Sequence, residues 1–215
     1  MIETATGLVL RTRPLTETSV IVQWLTRDLG RVATVAKGAR RPKSPFRGKL
    51  DVFYLADFSF ARSQRSELHT LREVSLKETH GALRRELAAL RQAAYCAALI
   101  EQSTETESPM PEVFELMTGW LAHAVQHPPQ PQTVFAFEFR LLSQLGLAPD
   151  WETANLNPGA KEIAKALTQG NWKMIPRLKP SEAQTRALDH FLHQHLGFHL
   201  GRVPKGRSAA VEGEV

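Results

Sequence analysis

Cysteine is almost missing from this 215-residue chain: Cys96 is its single thiol, so no internal disulfide is available, which fits a reducing compartment. Cys96 lies in the Ala-rich run of residues 93–98 and reads as a small buried hydrophobe. Long apolar runs are missing too. No stretch approaches the roughly 20 apolar residues that a spanning helix needs. Glu3 and Thr4 stand where a secretory leader has a basic start and an apolar run, so a cytoplasmic protein is expected. Signs of catalysis are equally scarce. The carboxylates are dispersed, and no glycine-rich phosphate loop is followed by Lys and Ser or Thr. The expectation is a binding protein, not an enzyme, that needs no cofactor. There is no internal repeat and no low-complexity tract.

What the chain does have is charge gathered at one end. Residues 1–80 hold 14 Lys and Arg against 8 Asp and Glu, whereas residues 81–215 hold 13 against 14. The excess peaks between residues 37 and 49, where Lys37, Arg40, Arg41, Lys43, Arg47 and Lys49 occur without one acid. Gly38, Pro42, Pro45 and Gly48 interrupt that stretch, so it is a loop and not a helix. A one-signed loop on a basic module beside a near-neutral remainder fits nucleic-acid binding. Two blander readings share the same charges: a solvated loop that only aids solubility, and a basic adaptor that docks on acidic proteins or anionic membranes.

Five strand-like segments fill the basic third: residues 7–13, 19–25, 31–37, 50–61 and 68–76. In the fourth, Leu50, Val52, Tyr54, Ala56, Phe58 and Phe60 alternate with Asp51, Phe53, Leu55, Asp57 and Ser59. Five short strands at near-regular spacing predict an OB-like barrel, because closure removes exposed edges. Such barrels hold single strands with a cationic groove and aromatic platforms. Trp24, Phe53 and Phe46 are candidates, Phe46 first because it sits in the basic loop; packing inside the barrel is the competing role of each. From about residue 79 the apolar period becomes helical. Helices are expected over residues 83–98, from 111, over 132–145, 160–168 and 181–196. The expected fold class is α+β: an OB-like barrel over residues 1–79 that fits nucleic-acid binding, a helical bundle over 80–203 and a flexible tail over 204–215.

Four stretches, in one order along the chain, resemble the RecO family of bacterial recombination mediators. Residues 11–19 (Arg-Thr-Arg-Pro-Leu-Thr-Glu-Thr-Ser) are similar to the family's exit from its first strand. Residues 28–32 (Asp-Leu-Gly-Arg-Val) with 35–41 (Val-Ala-Lys-Gly-Ala-Arg-Arg) are similar to its most recognisable segment. Residues 137–142 (Phe-Glu-Phe-Arg-Leu-Leu) with 145–150 (Leu-Gly-Leu-Ala-Pro-Asp) resemble its central helix, and residues 200–207 its C-terminal Leu-Gly and Lys-Ser-Arg signature.

The resemblance implies an OB-fold module that binds single- and double-stranded DNA, joined to a helical module. It implies annealing of complementary strands and, with RecR, help for RecA in replacing single-strand-binding protein. It also implies a site for that protein's acidic, Phe-ended tail, which needs an apolar hole with a cation at its mouth. Arg140 beside Phe139 and Leu142, or Arg84 and Arg91, are the candidates. Localisation would be cytoplasmic and nucleoid-associated. One departure stands out: many members hold zinc with four cysteines after the Leu-Gly-x-x-Pro segment, and residues 151–176 contain none, so no metal is expected there. His190, His193, His195 and His199 gather near the end, with solvated helix histidines as the default reading.

Overall fold

The computed structural model describes residues 1–212. The chain divides into two compact units: residues Met1–His80 with Thr104–Glu115, and Gly81–Ser103 with the residues from Leu116 onward.

The first unit is a closed five-stranded barrel of β1 (Ile2–Pro14), β2 (Val20–Thr26), β3 (Arg31–Ala36), β4 (Leu55–Ala61) and β5 (Leu68–Glu78), in the order β1-β2-β3-β5-β4. All pairings are antiparallel except β3 with β5. The first strand serves two neighbours. Its first half pairs with β4 and its second half with β2, and the two sets overlap at Gly7 and Leu8. Glycine is required at that crossing, because a Cβ on Gly7 would stand 2.8 Å from the Phe58 ring. Inside, Trp24 stacks on Phe58 with ring centroids 4.1 Å apart, and its indole N–H donates to Thr34 Oγ1 at 2.8 Å. Val9, Val22, Val32, Phe60, Leu71 and Val74 complete the packing.

Residues 104–115 return to this barrel. Thr106 bridges Arg31 in parallel, the Glu107 N–H donates to the Arg31 carbonyl at 2.8 Å, and the Arg31 guanidinium donates to Thr104. Gly30, at φ +68°, must be glycine, since a Cβ there would lie 2.2 Å from the Ser108 carbonyl oxygen. The Glu107 carboxylate accepts from Arg62 at 2.8 Å and from His69 Nε2, and Arg62 also holds Glu3 at 2.6 Å. Burial pushes the Glu107 carboxyl up, but its bonds to His69 and Arg62 outweigh that and hold it below the usual range.

The second unit is helical. It contains α1 (Leu87–Ser103), most of α2 (Pro111–Ala124), α3 (Pro131–Gln144), α4 (Pro158–Gln169), α5 (Glu182–Leu200) and α6 (Arg207–Val211). Short 3₁₀ turns cover Gly81–Arg85 and Trp172–Arg177. Helix α3 is central, burying Val134, Phe135, Phe137, Phe139, Leu141 and Leu142. Amid them Glu138 is fully buried and satisfied: Tyr95 Oη donates to it, and Arg207 grips both oxygens at 2.7 and 3.0 Å. Burial pulls the Arg207 guanidinium down, yet the charge of Glu138 outweighs it and leaves Arg207 above its ordinary value. Helix α5 opens on a reciprocal capping box between Ser181 and Gln184.

Two expectations are corrected. The strand expected over residues 50–61 starts only at Leu55. Phe53 takes φ +64°, its N–H donating to the Val9 carbonyl at 2.7 Å and its own carbonyl accepting from His80 Nδ1 at 2.7 Å, so tertiary hydrogen bonds override the local alternation. The flexible tail expected from residue 204 differs from the structure over Arg207–Val211, which form α6 because Arg207 is drawn to Glu138 and Asp189. Residues 213–215 of that tail lie outside the described residues.

Candidate nucleic-acid interface

The basic stretch leaves the end of β3 and returns at the start of β4 as a chain of tight turns. Arg41 N–H bonds the Gly38 carbonyl at 3.0 Å, Ser44 that of Arg41 at 3.1 Å, Arg47 that of Ser44 at 3.2 Å and Lys49 that of Phe46 at 3.0 Å. Gly38 and Gly48 supply the positive φ values these reversals need. The loop is therefore braced by its own backbone and pinned by Phe46, whose ring enters the barrel core and stays 7% exposed.

Lys37, Arg40, Arg41, Lys43 and Arg47 are exposed, and none forms an ion pair among the described residues. Lys49 differs: its Nζ is half-buried and donates to the Val74 carbonyl of β5 at 3.1 Å. Charges of one sign, held on a stiff loop without acidic partners, form a surface that favours anions.

Of the two roles open to the three aromatics, the structure gives packing. Trp24, Phe53 and Phe46 are all buried, so none offers an open ring face, because a small barrel fills with its aromatics first. The partner candidates divide similarly. Phe139 and Leu142 are core residues, 0% and 1% exposed, and cannot line a surface hole. Arg140 lies over the Trp172 ring at 4.1 Å and donates to the Leu167 carbonyl at 2.9 Å; burial lowers its pKa to about 10. Arg84 is exposed on the first 3₁₀ turn and Arg91 half-buried on α1. Of the C-terminal histidines, His190 and His193 are exposed, while His195 Nε2 donates to the Leu147 carbonyl at 2.8 Å. Among the described residues no three His, Cys, Asp or Glu side chains are grouped to hold a metal ion, and no helix is long and apolar enough to cross a membrane.

Two groupings escaped the sequence reading. One is the Glu3–Arg62–Glu107–His69 network, whose members are far apart in the chain. The other places the β1–β2 turn, with Thr16, Thr18 and Ser19, against the basic loop through an Arg40 N–H bond to the Thr18 carbonyl at 2.9 Å. Only the hydroxyl content of that turn was visible beforehand.

Comparison with known proteins matches residues 1–80 to the family described as "Recombination protein O N terminal" and residues 84–155 to "Recombination protein O C terminal". The chain is 35% identical over 144 residues to "DNA repair protein RecO" of Anaeromyxobacter sp. (strain K), covering 67% of this chain and 57% of that one. It is 38% identical over 147 residues to the protein of that name from Idiomarina loihiensis, covering 67% and 61%. The Bacillus pumilus protein is 31% identical over 156 residues, covering 73% and 60%. The chain thus spans about three-fifths of the length of these relatives. With a closed five-stranded barrel followed by helices, and both family regions matched in order, the chain belongs to the RecO family.

Proposed function

We propose that this chain is a DNA repair and recombination mediator that binds single- and double-stranded DNA, anneals complementary strands and, with RecR, helps RecA load onto DNA coated by single-strand-binding protein. The observation that carries the reading is the set of five exposed cations, Lys37, Arg40, Arg41, Lys43 and Arg47, on a braced loop of a closed barrel. The name "DNA repair protein RecO" borne by the relatives supports it.

The mechanism is charge neutralisation. Each phosphate met by a Lys or Arg releases condensed counterion, so five contacts to a single strand give a log–log salt slope of about −3.5. Phosphate contacts carry no sequence information and leave base edges free to pair, and screening two strands at once favours annealing without any change of bond. DNA contact belongs to residues 1–79 and partner contact to residues 80–203. The acidic tail of single-strand-binding protein fits best beside Leu87, which is 51% exposed and shares a helix face with Arg91 just after Arg84. Binding to DNA would place the protein at the nucleoid.

Fluorescence anisotropy with a labelled oligonucleotide tests the reading. Replacing Lys37, Arg40 and Arg41 together by Ala should weaken binding about a hundredfold at ~0.1 M salt and flatten the slope by about 2. Unchanged affinity would remove the loop from the account, and displacement of DNA by anionic liposomes would favour the adaptor reading.

A further inference from the structure

Among the described residues, hollows beside the basic loop on the barrel unit include three whose linings differ in one respect. The hollow beside Lys49 and Arg72 is also lined by Asp57 and Glu73, and the one beside Arg47 is lined by Asp51. The third, of about 390 Å³, lies between the β1–β2 turn and the first turn of the basic loop and has no carboxylate in its lining. Lys37 and Arg41 face it from one side, Thr16, Thr18 and Ser19 from the other, and Gly38 lies between. Glu17, on the same turn, is exposed and does not line it.

Its geometry is fixed by backbone. Thr16 Oγ1 accepts the N–H groups of Thr18 at 3.3 Å and Ser19 at 3.0 Å, which closes the turn and leaves its own hydroxyl proton to donate outward. The Thr18 carbonyl accepts from Arg40 N–H at 2.9 Å and ties the turn to the loop. Gly38 has φ +68°, a backbone conformation that favours glycine, and the Arg41 side chain passes beside it at ordinary contact distance. The Thr18 and Ser19 hydroxyls make no hydrogen bond among the described residues, and neither do the Lys37 and Arg41 side chains.

Three hydroxyl donors, one planar guanidinium and one ammonium converging without a negative charge suit a tetrahedral oxyanion. We propose that this hollow seats a single phosphate of a nucleic-acid backbone, with Thr16, Thr18 and Ser19 as hydroxyl donors beside Lys37 and Arg41. The proposal rests on the DNA-binding reading and deepens it: the other loop cations screen charge, whereas this seat fixes one phosphate against the barrel and so sets where the strand enters.

The test uses the full chain and an oligothymidine. Thr18→Val with Ser19→Ala removes two donors that take no part in the fold, and Arg41→Lys independently keeps the charge but removes the planar fork. Each should weaken binding about tenfold, the loss of hydrogen bonds to a charged group. The salt slope of the double variant should stay that of the parent, because no cation is lost. If both variants bind within about twofold of the parent while the Lys37, Arg40 and Arg41 triple variant fails, the seat is wrong and the loop reading stands; if the triple variant also binds normally, the DNA reading itself falls. Phosphatidylglycerol vesicles form the third arm. Should the double variant lose vesicle binding and keep the oligonucleotide, the phosphate belongs to lipid and the proposal is overturned. Matching thermal midpoints confirm that the variants fold.

Discussion

Arg41 and Arg207 carry the same guanidinium and have opposite employments. Arg207, 5% exposed, is gripped by both oxygens of Glu138 and by Asp189, and its charge is consumed in holding α6 to the helical unit. Arg41 stands on the basic loop with no ion pair among the described residues. A cation with a built-in partner stabilises a fold, whereas one kept without a partner on a stiff support is available to an outside anion. Residue type does not separate the two roles; partnership does.

The largest expected effect breaks the Arg207 side of the comparison. Arg207→Ala leaves Glu138 buried and unpaired and should cost about 3–5 kcal/mol in urea unfolding, and pairing it with Glu138→Leu should recover much of that loss. If Arg207→Ala alone is neutral, the buried pair is no structural anchor. On the loop side, Phe46→Ala should cost a similar ~3–5 kcal/mol and weaken DNA binding, because the loop loses its anchor in the barrel core; a variant that folds normally and binds normally would show that the brace is unnecessary.

The next effect is pH dependent. His123 is 5% exposed, and burial, helped by His127, lowers its pKa to about 4. The unfolded chain then binds a proton below about 6.5 that the folded chain refuses until about 4, so stability is full above 6.5 and falls by about 3 kcal/mol across that window. His123→Gln should remove that part of the fall in a series of thermal melts; an unchanged pH profile would assign it elsewhere. The smallest effect concerns Lys49, whose Nζ is tied to Val74. Lys49→Met should cost about 1 kcal/mol of stability and leave the DNA salt slope alone, whereas a slope shallower by about 0.7 would return Lys49 to the interface.

Strand number and helical content were legible because they arise from period and turn chemistry within short windows. Local windows failed where a distant group intervened. Residues 50–54 alternate like a strand, yet Phe53 is turned aside by Val9 and His80. The stretch from residue 204 reads as a flexible tail, but Glu138, far off in sequence, orders the short helix α6 within it. At the interface the cations were legible as charge. The inward turn of Phe46 was not, because nothing in the adjoining residues separates an aromatic plug from an aromatic platform. The Thr16–Ser19 turn meets the loop only after β1, β2 and β3 have paired.

Finally, the fifth strand closes the barrel but does not complete its compact unit. His69, Arg62 and Arg31 find their partners in Thr104 and Glu107, beyond the whole of α1. During synthesis these contacts become available only after roughly thirty residues beyond β5 have been made. An expression clone cut at His80 would sever the domain from its own last piece.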